Sequence, residues 1–252
     1  MRSGAARAAS LRRSVELFQG FRREQSDPDY FYALLAADSV QQLSGYVDLP
    51  GRVVLDVGGG AGYFADAFRG AGAAYFGIDP DVGELTARGE ADGGMLRASG
   101  TELPIRTGSV DVCYSSNVLE HVREPERMMA EMARVTKPGG IVFVSFTPWL
   151  SPWGGHETSP WHFLGGDYAR RRYRRRMGKE PKNVFGESLF AARAGAAIRW
   201  ARRSAIVDVV HILPRYHPWW AQWIALVPGA REILSWNVVL VLRRRAVEAD
   251  GA

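Results

Sequence analysis

From residue 52 to residue 146 the chain repeats one texture. Short apolar runs, RVVLDV (52–57), AYFGID (74–79), GMLRA (94–98), VDVCYS (110–115) and GIVFVSF (140–146), alternate with segments of helical spacing near 62–70, 81–90 and 117–136. Runs of this kind read as buried strands that need cover on both faces. A strand followed by a helix and then another strand returns parallel to the first through a right-handed crossover. The expectation is a three-layer α/β sandwich. KPGG (137–140) stops the last of these helices, a basic helix and then an amphipathic one at 187–203 are expected, and AIVDVVHIL (205–213) and NVVLVLRR (237–244) predict two late strands. Ahead of the sheet, Leu11, Val15 and Phe18, then Phe31, Leu34, Leu35, Val40 and Leu43, recur at helical intervals.

The 252 residues are long enough for a full core, and no internal repeat or low-complexity linker divides them. They read as a single domain in four parts: a helical cap (1–48), a cofactor core (50–147), a lid with basic helices (148–203), and last strands with an aromatic helix (204–245). Hydrophobic residues make up 46% and charged residues 23%, which places the chain among water-soluble globular proteins. The net charge of +5 rests on 29 Arg and only 3 Lys. That bias suits bidentate anion binding, or else reflects a GC-rich genome. Cys113 is the one cysteine, so no intrachain disulfide forms and a reducing compartment is expected.

The start, MRSGAARAASLRRSVELFQGFRR, is rich in Arg and poor in acid, as in a transit peptide, but an amphipathic first helix explains it equally. The cytoplasm is the expected location, with the inner face of the membrane as a refinement. The longest uncharged stretch near the C-terminus, Tyr216 to Ala230, has 15 residues and two prolines. A bilayer needs about 20 apolar residues, so no span is expected.

VVLDVGGGAGYF (53–64) carries four glycines within five positions directly after a strand. Such a turn lets a ligand approach the backbone. A dinucleotide fingerprint needs G-x-G-x-x-G, but Tyr63 fills the sixth position here. A phosphate-binding loop needs Gly-Lys-Ser/Thr, and no lysine is near. What remains is Asp56-x-Gly58-x-Gly60-x-Gly62, with Gly59 inside it, and Asp79 with Pro80 at the end of the next strand. Without a ligand, the same residues would be a plain turn and a helix N-cap.

This pattern resembles the class I S-adenosylmethionine (SAM)-dependent methyltransferases. SGTELPIRTGSVDVCYSSNVLEHV (99–122) and RVTKPGG (134–140) follow in the order and spacing of the small-molecule subgroup of that family. The resemblance covers about residues 50–147. It implies a mostly parallel, seven-stranded Rossmann-like sheet and SAM as cofactor, with S-adenosylhomocysteine as product. It also assigns roles: Asp56 accepts, directly or through water, from the cofactor's ammonium, and Asp79 grips both ribose hydroxyls. Gly100 and Thr101 line the adenine, and Asn117 lies beneath the methionyl group. Ser99 departs from the pattern, since the family usually has an Asp there for the adenine amine. The whole chain, including PRYHP (214–218) and the GGHE loop (154–157), also resembles uncharacterised actinobacterial methyltransferases of the cell envelope, which implies an envelope lipid as acceptor.

The acceptor is less legible. There is no Asn/Asp-Pro-Pro-Tyr/Phe motif of base methylation and no Pro-Cys nucleophile, because Cys113 follows Val112 in mid-strand. No paired acidic cluster stands out, so no metal is expected. Candidate bases are His121, just after the fourth strand, and His156 and His162 in the Trp/Pro/Gly-rich loop 147–166. Each has a packing reading beside the catalytic one. Tyr30 and Tyr32 in the cap, and Trp149 and Glu157 in the lid, are candidate substrate contacts. RRRYRRRMGK (170–179) is either a solvated helix face or an anion site. Trp219, Trp220 and Trp223 are either a pocket wall or a membrane-facing edge. Together they suggest a lipid or glycolipid hydroxyl or carboxyl as acceptor, with peripheral membrane contact. An RNA methyltransferase, or an inactive scaffold of the same fold, are the rival readings; nucleic acid is the less expected partner.

Overall fold

Val53–Val57 (β1), Ala74–Asp79 (β2), Met95–Arg97 (β3), Val110–Ser116 (β4), Thr136–Phe146 (β5), Val207–Pro214 (β6) and Val238–Arg244 (β7) form one sheet. The computed structural model describes residues 9–24, 26–89 and 94–246. The strand order is β3-β2-β1-β4-β5-β7-β6. β1 to β5 pair in parallel, and β7 runs antiparallel to both β5 and β6.

Alternation along the strands sorts the core into two layers. Leu55, Cys113, Val142 and Leu240 face one side, with Met128, Met129 and Ile198. Val54, Val112, Ile141 and Val239 face the other, with Leu35, Leu43 and Phe68. Successive side chains of a strand point to opposite faces, so neighbours in sequence end up in different cores. Pro125–Val135 (α5) and Ala194–Arg203 (α7) cover the first side. Pro28–Leu43 (α2) and Ala65–Gly70 (α3) cover the second. Leu11–Phe21 (α1) lies against α2, and Val82–Leu85 (α4) connects β2 to β3. Cys113 is fully buried in the first core.

The structure trims four expected helices. The stretch 117–136 is a 3₁₀ turn, Leu119–His121, followed by α5. Glu124 precedes Pro125, which disfavours helical backbone there, and Pro125 then begins the helix where its missing N–H costs nothing. The helix expected from 62 starts at Ala65 because Gly62 has φ +73°. The one expected over 81–90 ends at Leu85, and its last residue lies outside the described residues, as does the start of the N-terminal segment. The helix expected from 187 starts at Ala194, because the preceding backbone bonds elsewhere. Phe190 N–H donates to the Glu120 carbonyl, and Trp149 N–H donates to the Ala192 carbonyl.

Gly166–Met177 (α6) is the basic helix, closed by Gly178 at φ +69°, a left-handed cap that suits glycine. Residues 215–237 link β6 to β7 through a 3₁₀ turn at Trp219–Ala221, Trp223–Leu226 (α8) and Ala230–Ile233 (α9). Among the described residues, no helix is long and apolar enough to cross a membrane.

Candidate active site

In open parallel sheets, ligands bind outside the carboxyl ends of the strands where the strand order reverses. Here the reversal lies between β1 and β4. A cavity of about 670 Å³ opens there. Gly58, Gly60 and Tyr63 follow β1, Asp79 and Pro80 end β2, Ser99, Gly100 and Thr101 follow β3, and Ser116, Asn117 and His121 follow β4. Tyr32 from α2 and residues 182, 183, 187 and 188 complete the wall. Thus eight of the residues expected at a cofactor, Gly58, Gly60, Asp79, Pro80, Ser99, Gly100, Thr101 and Asn117, converge on one space.

The backbone makes this edge. Gly58 has φ +81°, and a Cβ on it would collide with Val118 of the adjacent strand end. A side chain there would be both strained and blocked. Asp79 is held by two backbone donors. Gly60 N–H reaches Oδ2 at 3.2 Å, and Asp81 N–H reaches Oδ1 at 2.9 Å. Its carboxyl sits above the ordinary value because burial outweighs those two bonds. The carboxylate is therefore fixed in orientation, with lone pairs left for a ligand. Ser99 Oγ accepts from Thr101 N–H at 3.2 Å and lies 2.8 Å from Thr101 Oγ1, so the pair shapes its own turn. A Cβ on Gly100 would lie 2.8 Å from Val57 Cγ1, which explains the glycine. Asn117 adopts φ +56°, and its Oδ1 accepts from Asn237 Nδ2 at 2.7 Å.

Other expected residues stand outside the cavity lining. Asp56 is 2% exposed and lies behind the turn, where Tyr75 O–H donates to Oδ2 at 2.8 Å. Burial pushes its carboxyl up to about 7. Gly59 turns its backbone away, donating to the Ile78 carbonyl, and Gly62 continues the turn with its N–H on the Gly59 carbonyl. Tyr30 is exposed beneath the Arg23 guanidinium, while Tyr32, two residues on, faces the cavity. Positions i and i+2 of a helix do not share a face. Tyr32 stacks on Tyr63 at 4.5 Å, and its O–H donates to Glu24 at 3.0 Å.

The lid has a core of its own. Trp149 is buried against Phe185 at 4.7 Å and the His162 ring at 5.2 Å. His162 Nε2 donates to the Ser151 carbonyl at 3.0 Å, and burial lowers its pKa. Glu157 is set back from the cavity lining and meets it through Asn183, whose Nδ2 donates to Oε1 at 2.9 Å. Of the three histidines only His121 lines the cavity. Its Nδ1 lies 2.6 Å from the Ser188 carbonyl, which only accepts, so Nδ1 carries the hydrogen. His156 packs against the His121 ring at 5.1 Å, and burial lowers its pKa to about 3.

Sequence reasoning missed two groups. The first is the segment Lys182, Asn183, Glu187 and Ser188, which folds back over the cavity and carries no motif. The second is Arg215, only 2% exposed. Its Nη1 donates to Ser116 Oγ and Ser145 Oγ, each at 2.6 Å, and its Nη2 to Ser39 Oγ at 2.6 Å. Nothing in a run of apolar and aromatic residues signals that this arginine points inward.

The architecture is one that is known. A SAM-dependent methyltransferase from Mesorhizobium loti has a TM-score of 0.57 with 21% identity, covering 84% of this chain and 98% of that one. The [4+2]-cyclase SpnF shares the fold as well, with a TM-score of 0.51, 16% identity, and coverage of 84% and 81%. The class defined by sheet and site is thus the Rossmann-like methyltransferase fold, and the cyclase shows that fold alone does not fix the reaction.

Sequence similarity decides further. The methyltransferase domain family matches residues 55–144. An uncharacterized methyltransferase of Mycobacteroides abscessus is 49% identical over 254 residues, covering 95% of this chain and 97% of its own. One from Mycobacterium tuberculosis is 49% identical over 247 residues, covering 94% and 96%. The chain belongs to this methyltransferase family, and it is a methyltransferase.

Proposed function

We propose that the methyl donor is S-adenosylmethionine, bound in the cavity, and that the acceptor is a hydroxyl or carboxyl of an anionic, lipid-like or glycolipid molecule. A cavity of about 670 Å³ suits a ligand of that size. Asp79 takes the two ribose hydroxyls, Gly58 and Gly60 let the methionyl part approach, and Ser99, Gly100 and Thr101 border the adenine. Asn117 lies under the methionyl end. Asp56, behind the turn, acts on the ammonium through its field and through water. Transfer is a displacement at the sulfonium. The acceptor oxygen bonds to the methyl carbon as the carbon–sulfur bond breaks, leaving the neutral thioether of S-adenosylhomocysteine. A hydroxyl acceptor also loses its proton, and His121 is the cavity histidine positioned to take it.

One observation carries the acceptor class. Arg171, Arg172, Arg175 and Arg176, with Tyr168, line a surface hollow of about 330 Å³ on α6. Arg171, Arg175 and Arg176 are exposed and make no ion pair among the described residues. The exposed Trp161, Phe163, Leu164 and Met177 belong to the same helix and the turn before it, and the Arg172 guanidinium lies 3.9 Å over the Trp161 ring. The helix is tied to the cavity, because Arg170 pairs with Glu187 of its wall at 2.9 Å. Unpaired arginines interleaved with exposed aromatics suit an anionic interface, worth about 1 kcal/mol per basic residue near a charged membrane. A second apolar edge, with Trp219 60%, Trp220 59% and Trp223 51% exposed, adds to this reading. The protein then works in the cytoplasm at the inner face of the membrane.

The test is methyl transfer from labelled SAM into an extract of the source organism, separated into lipid, RNA, protein and polar fractions. Label in the lipid fraction is the expected result. Label confined to RNA would establish the rival nucleic-acid reading. Label in polar metabolites alone would return the arginine helix to a solvated face. SAM binding without any transfer would leave the scaffold reading.

A further inference from the structure

Glu120 and His121 end the 3₁₀ turn after β4, and His156 opens the short turn His156–Thr158 in the lid. Folding brings one ligand atom from each within 4.8 Å of the others. The geometry points to a divalent metal site, of the imidazole-and-carboxylate kind that takes zinc, built from Glu120, His121 and His156 at the rim of the cavity. Sequence reasoning expected no metal because it looked for paired acids. The set here is mixed, and one of its three members comes from a remote loop.

Four features of these residues support the site. Glu120 is only 1% exposed; Thr147 N–H donates to its Oε1 at 3.0 Å, yet Oε2 is buried without a partner. His156 Nε2 is likewise buried and unpartnered. Buried polar atoms of this kind are rare and call for an unseen partner. His121 Nδ1–H is spent on the Ser188 carbonyl at 2.6 Å. That bond fixes the tautomer and leaves Nε2 with a lone pair, the outer-sphere arrangement usual for a metal-ligating histidine. His156, finally, holds φ +48°, a left-handed backbone uncommon outside glycine.

Two imidazoles and one carboxylate are the donor set of His₂Glu zinc centres, which keep a position open. Bonds of about 2.0–2.1 Å to a tetrahedral ion put ligand atoms about 3.4 Å apart. The ligand atoms, within 4.8 Å of one another, would have to close by at most about 1.4 Å to reach the spacing of a tetrahedral ion. Because His121 lines the cavity, an ion on its Nε2 would stand beside the reacting groups, and it would take the place of that nitrogen as the group that activates the acceptor. Its open position would then take water or an acceptor oxygen and lower the pKa of that oxygen. The site itself does not depend on the acceptor class.

Cobalt(II) is the probe, since its visible absorption reports tetrahedral or five-coordinate geometry. Chelator-treated full-length protein should bind one Co²⁺ with an intense visible band, and Zn²⁺ should abolish the band. Substituting His156→Ala or Glu120→Gln should weaken Co²⁺ affinity at least tenfold, the size that even outer-sphere changes produce. Melting curves identify any variant that has lost its fold, and the wild-type titration stands without the variants. No band in the wild-type protein, or unchanged affinity in folded His156→Ala, would overturn the site.

Discussion

The edge of β1 to β4 and the lid at 148–190 meet at one cavity, but they are made differently. At the first, the shape is set by backbone. Gly58 and Gly60 hold left-handed angles, and Asp79 is aimed by two peptide N–H groups. At the second, side chains pack on side chains, with Trp149 between Phe185 and His162, and Asn183 on Glu157. A backbone-built edge keeps its shape whatever side chains stand around it. A lid made of side chains is free to change with the acceptor.

Substitutions at four places test how far the two regions are independent. The largest effect is expected at Arg215, which joins the cap, the sheet and the C-terminal link. Arg215→Ala takes a charged donor away from three serine hydroxyls and leaves a void, and should cost about 3 kcal/mol or more in urea unfolding. A loss below about 1 kcal/mol would mean that the serines satisfy one another. Arg215→Met, which refills the volume, should recover part of it.

Asp79→Ala comes next and touches only the backbone-built edge. Two charge-assisted bonds to ribose hydroxyls are worth about 3 kcal/mol, so SAM affinity by calorimetry should fall about 100-fold. Unchanged affinity would remove the ribose assignment. Asp56→Asn is smaller and depends on pH. Burial holds the Asp56 carboxyl at about 7 instead of 3.8, so the folded chain keeps a proton that the unfolded chain releases in that window. Wild-type stability from this group therefore falls as pH rises from about 4 to 7, with a slope of at most about 1.4 kcal/mol per unit. Asparagine still accepts from Tyr75 and does not ionise, so the variant should gain on the parent across that range. His156 tilts stability the opposite way, since only its unfolded form takes a proton between about 6.5 and 3, and subtracting the two curves removes its contribution.

The smallest change in stability belongs to the outer face of the lid. Replacing Arg171, Arg175 and Arg176 with Gln should alter unfolding free energy by less than about 0.5 kcal/mol. Binding to vesicles of anionic lipid should nevertheless weaken at least tenfold, at about 1 kcal/mol per charge removed. Vesicle binding that survives all three changes would move the membrane contact to the Trp219, Trp220 and Trp223 edge or dismiss it.

Sequence alone determined the sheet, because strand burial and helix alternation are local patterns that repeat for every neighbour. It also determined the glycine turn and Asp79, since each must stand at a fixed distance from a strand end. It went wrong where backbone bonds leave the local chain, as at residues 187–193, and where a proline interrupts a helical pattern, as at Pro125. Tertiary structure alone decided that Tyr32 and not Tyr30 faces the cavity, because the choice depends on how α2 is rotated against the sheet. It alone turned Arg215 inward onto Ser39, Ser116 and Ser145, and brought His156 to Glu120 and His121. Such pairings join segments far apart in the chain. No short-range pattern encodes them, and only the packed layers bring their side chains within reach.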